Sequence, residues 1–382
     1  MYMQDEIILK EIQQTRNISK STCALYRIVI MQYSEMNNKT MYELILEAEE
    51  EEEERIRWKK RKIKKRLLKY RSFLYNKYLH TTAKRYFTCI CAVYRYYDIE
   101  VRKLPPISQK NINKNKPINY QDLPDADVIK KVLNITNVRN RAIILFLASS
   151  GCGRTEACNI TIQDYINATS EYHNSNDIYE VLQTLTKKEN IVPQFELFRK
   201  KTSKHYITFC TPEATNAINI YLNSKEDEIH NNDLLFGMGP NYMNEIFYRL
   251  NNKLNLGKIG TYNRFRPHML RKFHASRLHN DGMSIDVVDS LQGRSKDSIH
   301  KAYFLEDPLK LKEDYINHMG AVMIEWNYNS LTFKSEEYVE LEMENIRKTR
   351  ELDDLSVRLK SIESFVFRGM SKRDVEDMEG WL

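Results

Sequence analysis

The sequence predicts a mainly α-helical protein with a small antiparallel β-sheet, an α+β class, organised as two domains. Its length of 382 residues exceeds the roughly 250–300 residues that one hydrophobic core usually organises. Apolar residues recur at helical spacing through most of both halves of the chain. Only one short region, near residues 195–209, alternates apolar and polar residues around a polar turn, as a β-hairpin does.

Residues 1–104 are predicted to form an N-terminal helical bundle. Ser19 or Ser21 can cap its first long helix, because a serine hydroxyl accepts from a free amide of the first turn. The apolar positions of that helix include Leu25, Ile28, Val29 and Tyr33. Two further helices are expected at Met41–Glu54 and at Thr81–Tyr97.

A strongly charged segment lies in the middle of this bundle. Glu49 through Glu54 are six consecutive acids, and Arg55 to Arg71 then contain eleven lysines or arginines. An apolar stripe runs through the basic part, so one face can dock while the cations face outward; its members are Ile63, Leu67, Tyr70 and Leu74.

Two interpretations of this segment stay open. The acids and bases can pair on a solvated helix face, or the segregated basic block can bind phosphates and release their counterions. On the second interpretation the candidate DNA-binding residues are Lys59, Lys60, Lys64, Lys65 and Arg66, with Lys200 in the second half of the chain.

Residues 105–124 are predicted to form a linker. This stretch interrupts the helical pattern with four prolines around a polar, basic run. An extended basic linker would let two domains lie on opposite sides of a rod-like ligand. Residues 125–330 are predicted to form the second domain, which begins with helices at Asp125–Leu133 and Arg139–Ser149.

The small sheet is expected in the middle of the second domain. The segments "IYEVLQTLT" and "QFELFRKKTSKHYITFC" are predicted to supply it, with "RKKTSKH" as a hairpin turn. A helix follows at "TPEATNAINIYLNS", and the rest of the domain to about Met319 is expected to be helical.

Residues 331–382 are predicted to form a helical C-terminal tail. Its apolar residues recur at spacings of three and four, as in a short heptad seam; they are Leu352, Leu355, Leu359, Ile362 and Val366. A coiled coil between subunits and a helix docked on the same chain both remain open.

Composition favours a polyanionic partner and a reducing compartment. Lys and Arg total 59 against 52 Asp and Glu, a formal charge of +7. The six cysteines form no C-x-x-C pair, so we expect buried thiols rather than disulfides or a zinc site. No signal-peptide pattern is present, and the longest apolar run, Ala142–Ala148, is too short to span a bilayer. These features predict a cytoplasmic protein without a membrane role.

A group of residue types suited to phosphodiester chemistry occurs near the end of the second domain. His268 and Arg271 are three residues apart and so share a helix face. Arg294 follows the glycine of "LQG", and Tyr303 comes nine residues later. A helix is expected between them, and Ser295 or Ser298 could cap it. Tyrosine can attack phosphorus, arginine can clamp the phosphate oxygens, and lysine or histidine can move protons.

This order and spacing resemble the tyrosine recombinase (phage integrase) family. The family pattern is H-x-x-R, a glycine followed by a third phosphate-binding residue, and a nucleophilic tyrosine nine positions later; it maps onto His268, Arg271, Arg294 and Tyr303. Upstream, "SGCGRTE" resembles the element that carries the family's first arginine and offers Arg154. The family's hairpin lysine corresponds to Lys201, with Lys200 beside it. The finer likeness is to archaeal integrases, which indicates an archaeal or viral mobile element.

The sequence departs from the family pattern at two positions. In an ungapped comparison the family's first arginine falls at Gly153, so that Arg154 lies one residue late. Arg294 stands where the family commonly has histidine. Arginine still clamps a phosphate oxygen but does not exchange a proton there.

The resemblance implies a core-binding domain at residues 1–104 and a catalytic domain at residues 125–330. It implies that Tyr303 forms a 3′-phosphotyrosyl link, that Arg154, Arg271 and Arg294 stabilise the phosphate charge, that Lys201 protonates the leaving oxygen, and that His268 assists proton movement. It also implies double-stranded DNA as partner, a homotetramer on paired sites, and no metal or other cofactor.

Two other functions fit the same sequence. One is a DNA-binding accessory protein of this fold, catalytically impaired by its displaced first arginine. The other is a topoisomerase-like enzyme that relaxes DNA without exchanging strands.

Overall fold

The computed structural model describes residues 3–107, 118–294 and 307–325, together with Lys348. The chain divides into two compact units, Met1–Pro117 and Ile118–Leu382, and each has its own hydrophobic core. The described residues are mostly helical with two small antiparallel ladders, which confirms the predicted fold class. Among the described helices, none combines the length and the apolar character needed to cross a membrane.

The first unit is a bundle of helices. They are α1 (Met3–Thr15), α2 (Lys20–Asn37), α3 (Met41–Glu53), α4 (Lys62–Lys77) and α5 (His80–Tyr96). Ser19 caps α2 as predicted, since its hydroxyl accepts from the amide of Thr22 at 3.2 Å. Thr40 and Glu43 form a reciprocal capping box at the start of α3. Side-chain caps therefore mark where these two helices begin.

The core of this unit contains the stripe predicted on α4. Ile63, Leu67, Tyr70 and Leu74 are all buried. The ring of Tyr70 meets that of Tyr33 edge-on, with centroids 4.9 Å apart. Ile28 was expected on the apolar face of α2 but is 46% exposed. The buried face of this helix includes Cys23, Tyr26, Val29, Ile30 and Tyr33. At helical spacing, residue 28 projects away from that face.

The second unit begins with helices and one hairpin. Its first elements are α6 (Ala126–Leu133), α7 (Val138–Ser150), α8 (Arg154–Asn159), α9 (Ile162–Ala168), α10 (Ile178–Thr186), β1 (Gln194–Arg199) and β2 (Lys204–Phe209). It continues with α11 (Pro212–Asn223), α12 (Pro240–Lys253), β3 (Lys258–Ile259), β4 (Tyr262–Asn263), α13 (Pro267–Asn280), α14 (Ile285–Leu291) and α15 (Pro308–His318). Short 3₁₀ turns lie at Tyr120–Asp122, Ser170–Tyr172 and Met319–Val322.

Helix α7 forms the centre of the second core. Every residue from Ala142 to Ser150 is buried, and the helix packs against α11 and α13. It ends at Gly151, whose φ of +60° is the left-handed conformation that glycine adopts without strain. Helix α7 therefore ends beside His274 of α13.

The sheet differs from the prediction in two respects. The segment "IYEVLQTLT" forms helix α10 and not a strand, because Asp177 caps it and its buried residues, Ile178, Val181, Leu182 and Leu185, recur at helical spacing. A second ladder, between β3 and β4, was not predicted. Its two-residue strands are too short to show an alternating pattern.

The β1–β2 hairpin itself agrees with the prediction. It pairs Gln194 with Phe209 through Arg199 with Lys204, and the turn lies at residues 200–203. All six cysteines are free and buried, as the sequence indicated.

Candidate active site

Arg271 is held in a fixed position on α13. The side chain is 7% exposed. Its Nη1 donates to the carbonyl oxygen of Gly151 at 2.8 Å, and its Nη2 donates to that of Gln292 at 2.6 Å. Burial and the nearby Arg199 lower the pKa of Arg271 from its ordinary value. The guanidinium is therefore oriented by the backbone before any ligand arrives.

Arg294 is positioned by the C-terminal cap of α14. The amide of Gly293 donates to the carbonyl of Ser290 and the amide of Arg294 to that of Asp289, each at 2.9 Å, which is the Schellman pattern. Gly293 has a φ of +58°, and a Cβ there would lie 2.5 Å from the ring of Tyr206. Only glycine fits this turn. Arg294 also donates from Nη1 to Asp289 Oδ1 at 2.9 Å, and its side chain remains 41% exposed.

A buried hydrogen-bond network supports both arginines. Gln292 donates from Nε2 to the carbonyl oxygen of Arg271 at 2.9 Å and contacts His274 Nδ1 at 3.0 Å. His274 Nδ1 must accept this bond, so the ring is neutral with its proton on Nε2. Complete burial lowers the pKa of His274 to about 3. A Cβ on Gly151 would lie 2.4 Å from this ring, so glycine is required there for close approach as well as for its φ.

His268 lies on the first turn of α13, at the edge of the cation cluster. Partial desolvation, followed by the charges of neighbouring cations such as Arg266 and Lys272, lowers its pKa to about 4. The residue keeps an exposed surface, which weakens the desolvation but leaves the repulsion between cations in place. His268 is therefore neutral at pH 7.

Arg199 reaches the same place from the last residue of β1. Its Nη1 donates to the carbonyl oxygen of Gly293 at 2.9 Å and that of Gln292 at 3.4 Å. Its Nε lies 3.6 Å from a carboxylate oxygen of Glu156. The hairpin thereby brings a guanidinium beside Arg271 that the sequence analysis did not select.

Lys200 and Lys201 follow Arg199 in the hairpin turn, and both are exposed. Arg154 begins α8 and is half-buried. Among the described residues, no hydrogen bond or ion pair joins these three side chains to Arg271, His268 or Arg294. The structure thus brings together three of the predicted catalytic residues, and Tyr303 lies outside the described residues.

The predicted DNA-binding residues of the first unit differ in their contacts. Lys59, Lys60 and Lys65 are exposed and Lys64 is half-buried. Arg66 forms an ion pair with Glu47. Glu47 also accepts from Lys39 at 2.9 Å and from Lys62 at 3.0 Å, and Glu52 pairs with Arg61. Carboxylates of α3 therefore neutralise part of the basic segment, while the four lysines have no ion-pair partner within the described part of the chain.

A groove of about 420 Å³ opens beside two of the site's cations. Lys272 and Arg294 line it together with residues of α13, α14 and the 3₁₀ turn at Tyr120–Asp122. The exposed side of Arg294 therefore faces open space that a ligand can enter.

One known protein family matches the part of the chain that carries this site. Residues 124–308 match the phage integrase family. This part of the chain belongs to that family. The matched range contains Arg154, Arg199, His268, Arg271, Arg294 and Tyr303. Membership supports a tyrosine-type site-specific DNA recombinase or integrase, as the resemblance implied.

Solved recombinase structures resemble the chain at low sequence identity. The XerH site-specific recombinase bound to palindromic difH substrate is 17% identical, with a TM-score of 0.49, over 81% of this chain and 83% of that one. The Tn1549 transposon integrase in complex with a circular intermediate DNA is 16% identical, also at 0.49, over 82% and 98%. The XerA recombinase is 18% identical at 0.33, over 82% and 98%. No curated protein sequence matches the chain.

Sequence analysis of the integrase segment missed Arg199 and Gln292. Arg199 lies within "RKKT", where the family resemblance selects a lysine, but as the last residue of β1 it lies at the turn end of the hairpin and reaches the carbonyl of Gly293. Gln292 lies in "LQG", and a polar residue between a buried leucine and a cap glycine is the signal that could have found it.

Proposed function

We propose that Tyr303 of this integrase-family chain attacks a DNA phosphodiester held by Arg271 and Arg294. The observation that carries the proposal is the fixed guanidinium of Arg271, bound to the carbonyls of Gly151 and Gln292, with Arg294 projecting from the adjoining cap. Preorganised cations of this kind stabilise charge that develops on phosphate oxygens. Arginine suits this role because its planar fork matches two phosphate oxygens.

The proposed step forms one bond and breaks another. The phenolic oxygen of Tyr303 bonds to phosphorus, the bond from phosphorus to the 5′ oxygen breaks, and a 3′-phosphotyrosyl link results. The phenol loses its proton and the departing 5′ oxygen gains one. Because the ester energy is kept in the link, a new 5′ hydroxyl can reverse the step without ATP, which is strand exchange.

We assign the proton transfers to His268 and Lys201. His268 is neutral at pH 7, since burial and neighbouring cations lower its pKa to about 4. A bound phosphate anion would raise that pKa and let the ring accept a proton. Lys201 would donate to the 5′ oxygen. The role of Lys201 as this proton donor, and that of Arg154 as a further arginine stabilising the phosphate charge, come from the family resemblance alone. A free phenol has a pKa of about 10, so nearby guanidinium charge must also favour the phenolate of Tyr303 during attack.

The proposed partner is double-stranded DNA, bound by both units as a homotetramer on paired sites. The active-site cations suit the scissile phosphate, and the lysines of the first unit suit the flanking backbone; these are Lys59, Lys60, Lys64 and Lys65, with Arg66 and Lys200 as further candidates. The proposal includes a core-binding domain at residues 1–104, a linker at 105–124, a catalytic domain at 125–330 and a tail at 331–382. We also propose that the protein acts in the cytoplasm on the DNA of a mobile element.

Covalent capture from a DNA library tests this function. The protein is incubated with duplexes that have randomised centres and a nick, which lets the released DNA end diffuse away. Complexes that resist denaturant are isolated, and their DNA is sequenced. The proposal predicts captured duplexes that share a sequence. In a separate assay, relaxation of a supercoiled plasmid regardless of its sequence would indicate the topoisomerase-like activity and not site-specific recombination.

The impaired accessory function is favoured by two observations. Position 153 carries no side chain, and no described contact joins Arg154 to the cluster. An accessory protein would bind selected duplexes without any denaturant-resistant adduct, so the same capture experiment separates the two functions.

A further inference from the structure

The space beside Gly153 is filled by a carboxylate rather than by a guanidinium. A Cβ built on Gly153 would lie 2.0 Å from Oε2 of Glu156. Arg154, the next residue, is two positions from Glu156 on α8, and residues two apart in a helix project to different sides. A cation that pairs with Glu156 must therefore come from another element.

Arg199 meets that requirement. It contacts Glu156 through Nε and donates from Nη1 to Gly293 and Gln292. Arg271 donates to the same carbonyl oxygen of Gln292, so the two guanidinium groups lie side by side. The Arg199 side chain keeps 18% of its exposure, and within the described residues its Nη2 has no hydrogen-bond acceptor. One donor edge is thus free to meet a ligand.

The charges at this place favour an anion. Arg199, Arg271 and Arg294 are opposed among their described contacts by two carboxylates, Glu156 at 3.6 Å and Asp289 at 2.9 Å. The like charge of Arg199 also disfavours the cationic form of Arg271. A phosphate oxygen between the guanidinium groups would relieve this repulsion while accepting charge-assisted hydrogen bonds.

We propose that Arg199, at the end of β1, supplies the phosphate-binding guanidinium that position 153 lacks. This inference rests on the proposed recombinase function and adds a catalytic residue to it. Arg199 Nη2 donates to a non-bridging oxygen of the scissile phosphate, and Glu156 orients the side chain through Nε. The site then keeps three arginines although its first one is displaced in sequence.

The test compares the rate of covalent adduct formation on two substrates that share the captured site. One carries the natural scissile phosphodiester, and the other carries a methylphosphonate, in which a methyl group replaces a charged oxygen. The proteins are the wild type, Arg199→Ala, Arg199→Lys and, as a matched guanidinium control, Arg249→Ala, whose side chain is 67% exposed on α12.

On the phosphodiester we expect Arg199→Ala to lose about 100-fold in rate, since removing one preorganised donor typically has that effect. On the methylphosphonate we expect a loss of less than about tenfold, because the charge that Arg199 neutralises is absent. Arg199→Lys should fall between wild type and Arg199→Ala, and Arg249→Ala should match wild type on both substrates.

The ratio of the two rates within one preparation does not depend on its folded fraction. An equal loss on both substrates would mean that Arg199 only holds the Gly293 turn in place, and no loss on either would remove it from the site. Either result overturns the inference while the wild-type adduct leaves the proposed recombinase function intact.

Discussion

Arg271 and Gln292 hold each other through both of their backbones. Nη2 of Arg271 donates to the carbonyl oxygen of Gln292 at 2.6 Å, and Nε2 of Gln292 donates to the carbonyl oxygen of Arg271 at 2.9 Å. Both groups are buried, so the loss of either hydrogen bond would leave a buried polar atom without a partner. This reciprocal contact joins α13 to the cap of α14 and orients the guanidinium that we propose to bind the scissile phosphate.

Glycine at position 293 is expected to be indispensable for this geometry. Gly293→Ala should destabilise the second unit by about 3 kcal/mol, from left-handed strain together with the clash on Tyr206. Gly257→Ala is the matched control, because Gly257 also has a positive φ, +76°, but no atom within 4 Å of the added Cβ. It should cost about 1 kcal/mol. Urea denaturation measures both, and equal losses would contradict the close packing of the Gly293 turn.

The buried His274 is expected to make stability depend on pH. Its pKa is about 3 in the fold against about 6.5 in an unfolded chain, so between these values the unfolded state binds more protons. Stability should therefore be complete above about pH 6.5 and fall as the pH drops, by about 2 kcal/mol at pH 5. His274→Asn keeps an acceptor for Gln292 without titrating and should lose much less over that range. Denaturation midpoints at pH 7, 6 and 5 test this, and parallel losses in both proteins would refute it.

Glu47 is expected to stabilise the first unit through its ion pairs. Side-chain contacts from Arg66, Lys39 and Lys62 outweigh the desolvation that opposes them and lower the pKa of Glu47 to about 2. This stability is present above the ordinary carboxyl pKa and is lost as the pH falls toward 2. Glu47→Gln should cost about 2 kcal/mol at pH 7, measured by urea denaturation.

The control for Glu47 is an exposed ion pair on α12. Glu245 pairs with Arg249 where both side chains are at least half exposed, so Glu245→Gln should cost less than about 0.5 kcal/mol. A Glu47→Gln effect as small as this control would show that solvent screens the buried carboxylate as well.

The lysines of α4 are expected to contact DNA phosphates. Lys64→Glu combined with Lys65→Glu should weaken duplex binding and reduce the slope of log affinity against log salt by about 2, because each lost phosphate contact removes about 0.9. Fluorescence anisotropy between 50 and 200 mM salt, a range in which such contacts change affinity by orders of magnitude, measures it. Lys10→Glu with Lys20→Glu changes the net charge equally on exposed positions of α1 and α2. The same slope change in both pairs would assign the effect to net charge alone.

Local patterns in the sequence predicted most of the helices and the hairpin. The apolar stripe from Ile63 to Leu74 and the Ser19 cap are set by neighbours along the chain, and both agree with the structure. The segment Ile178–Thr186 was mistaken for a strand because its β-branched and apolar residues suit either state over a short run, and Asp177 as a cap decided for helix.

The candidate site was predictable in part for a related reason. His268 and Arg271 come from one helix turn, so their spacing alone places them together. Arg199 and Gln292 meet Arg271 only after the hairpin and the α14 cap fold onto α13. Gln292 is 21 residues from Arg271 and 93 residues from Arg199 along the chain. No local pattern encodes such a meeting, and only the glycine of "LQG" hinted at it.

The most direct test identifies the residue that becomes linked to DNA. Wild-type protein is trapped on the captured nicked duplex, digested with protease and nuclease, and analysed by mass spectrometry, alongside Tyr303→Phe and the exposed control Tyr248→Phe. We predict a nucleotide-modified peptide containing Tyr303 in the wild type and in Tyr248→Phe, and no adduct in Tyr303→Phe. An adduct that persists in Tyr303→Phe, or that maps to a different side chain, would contradict the account.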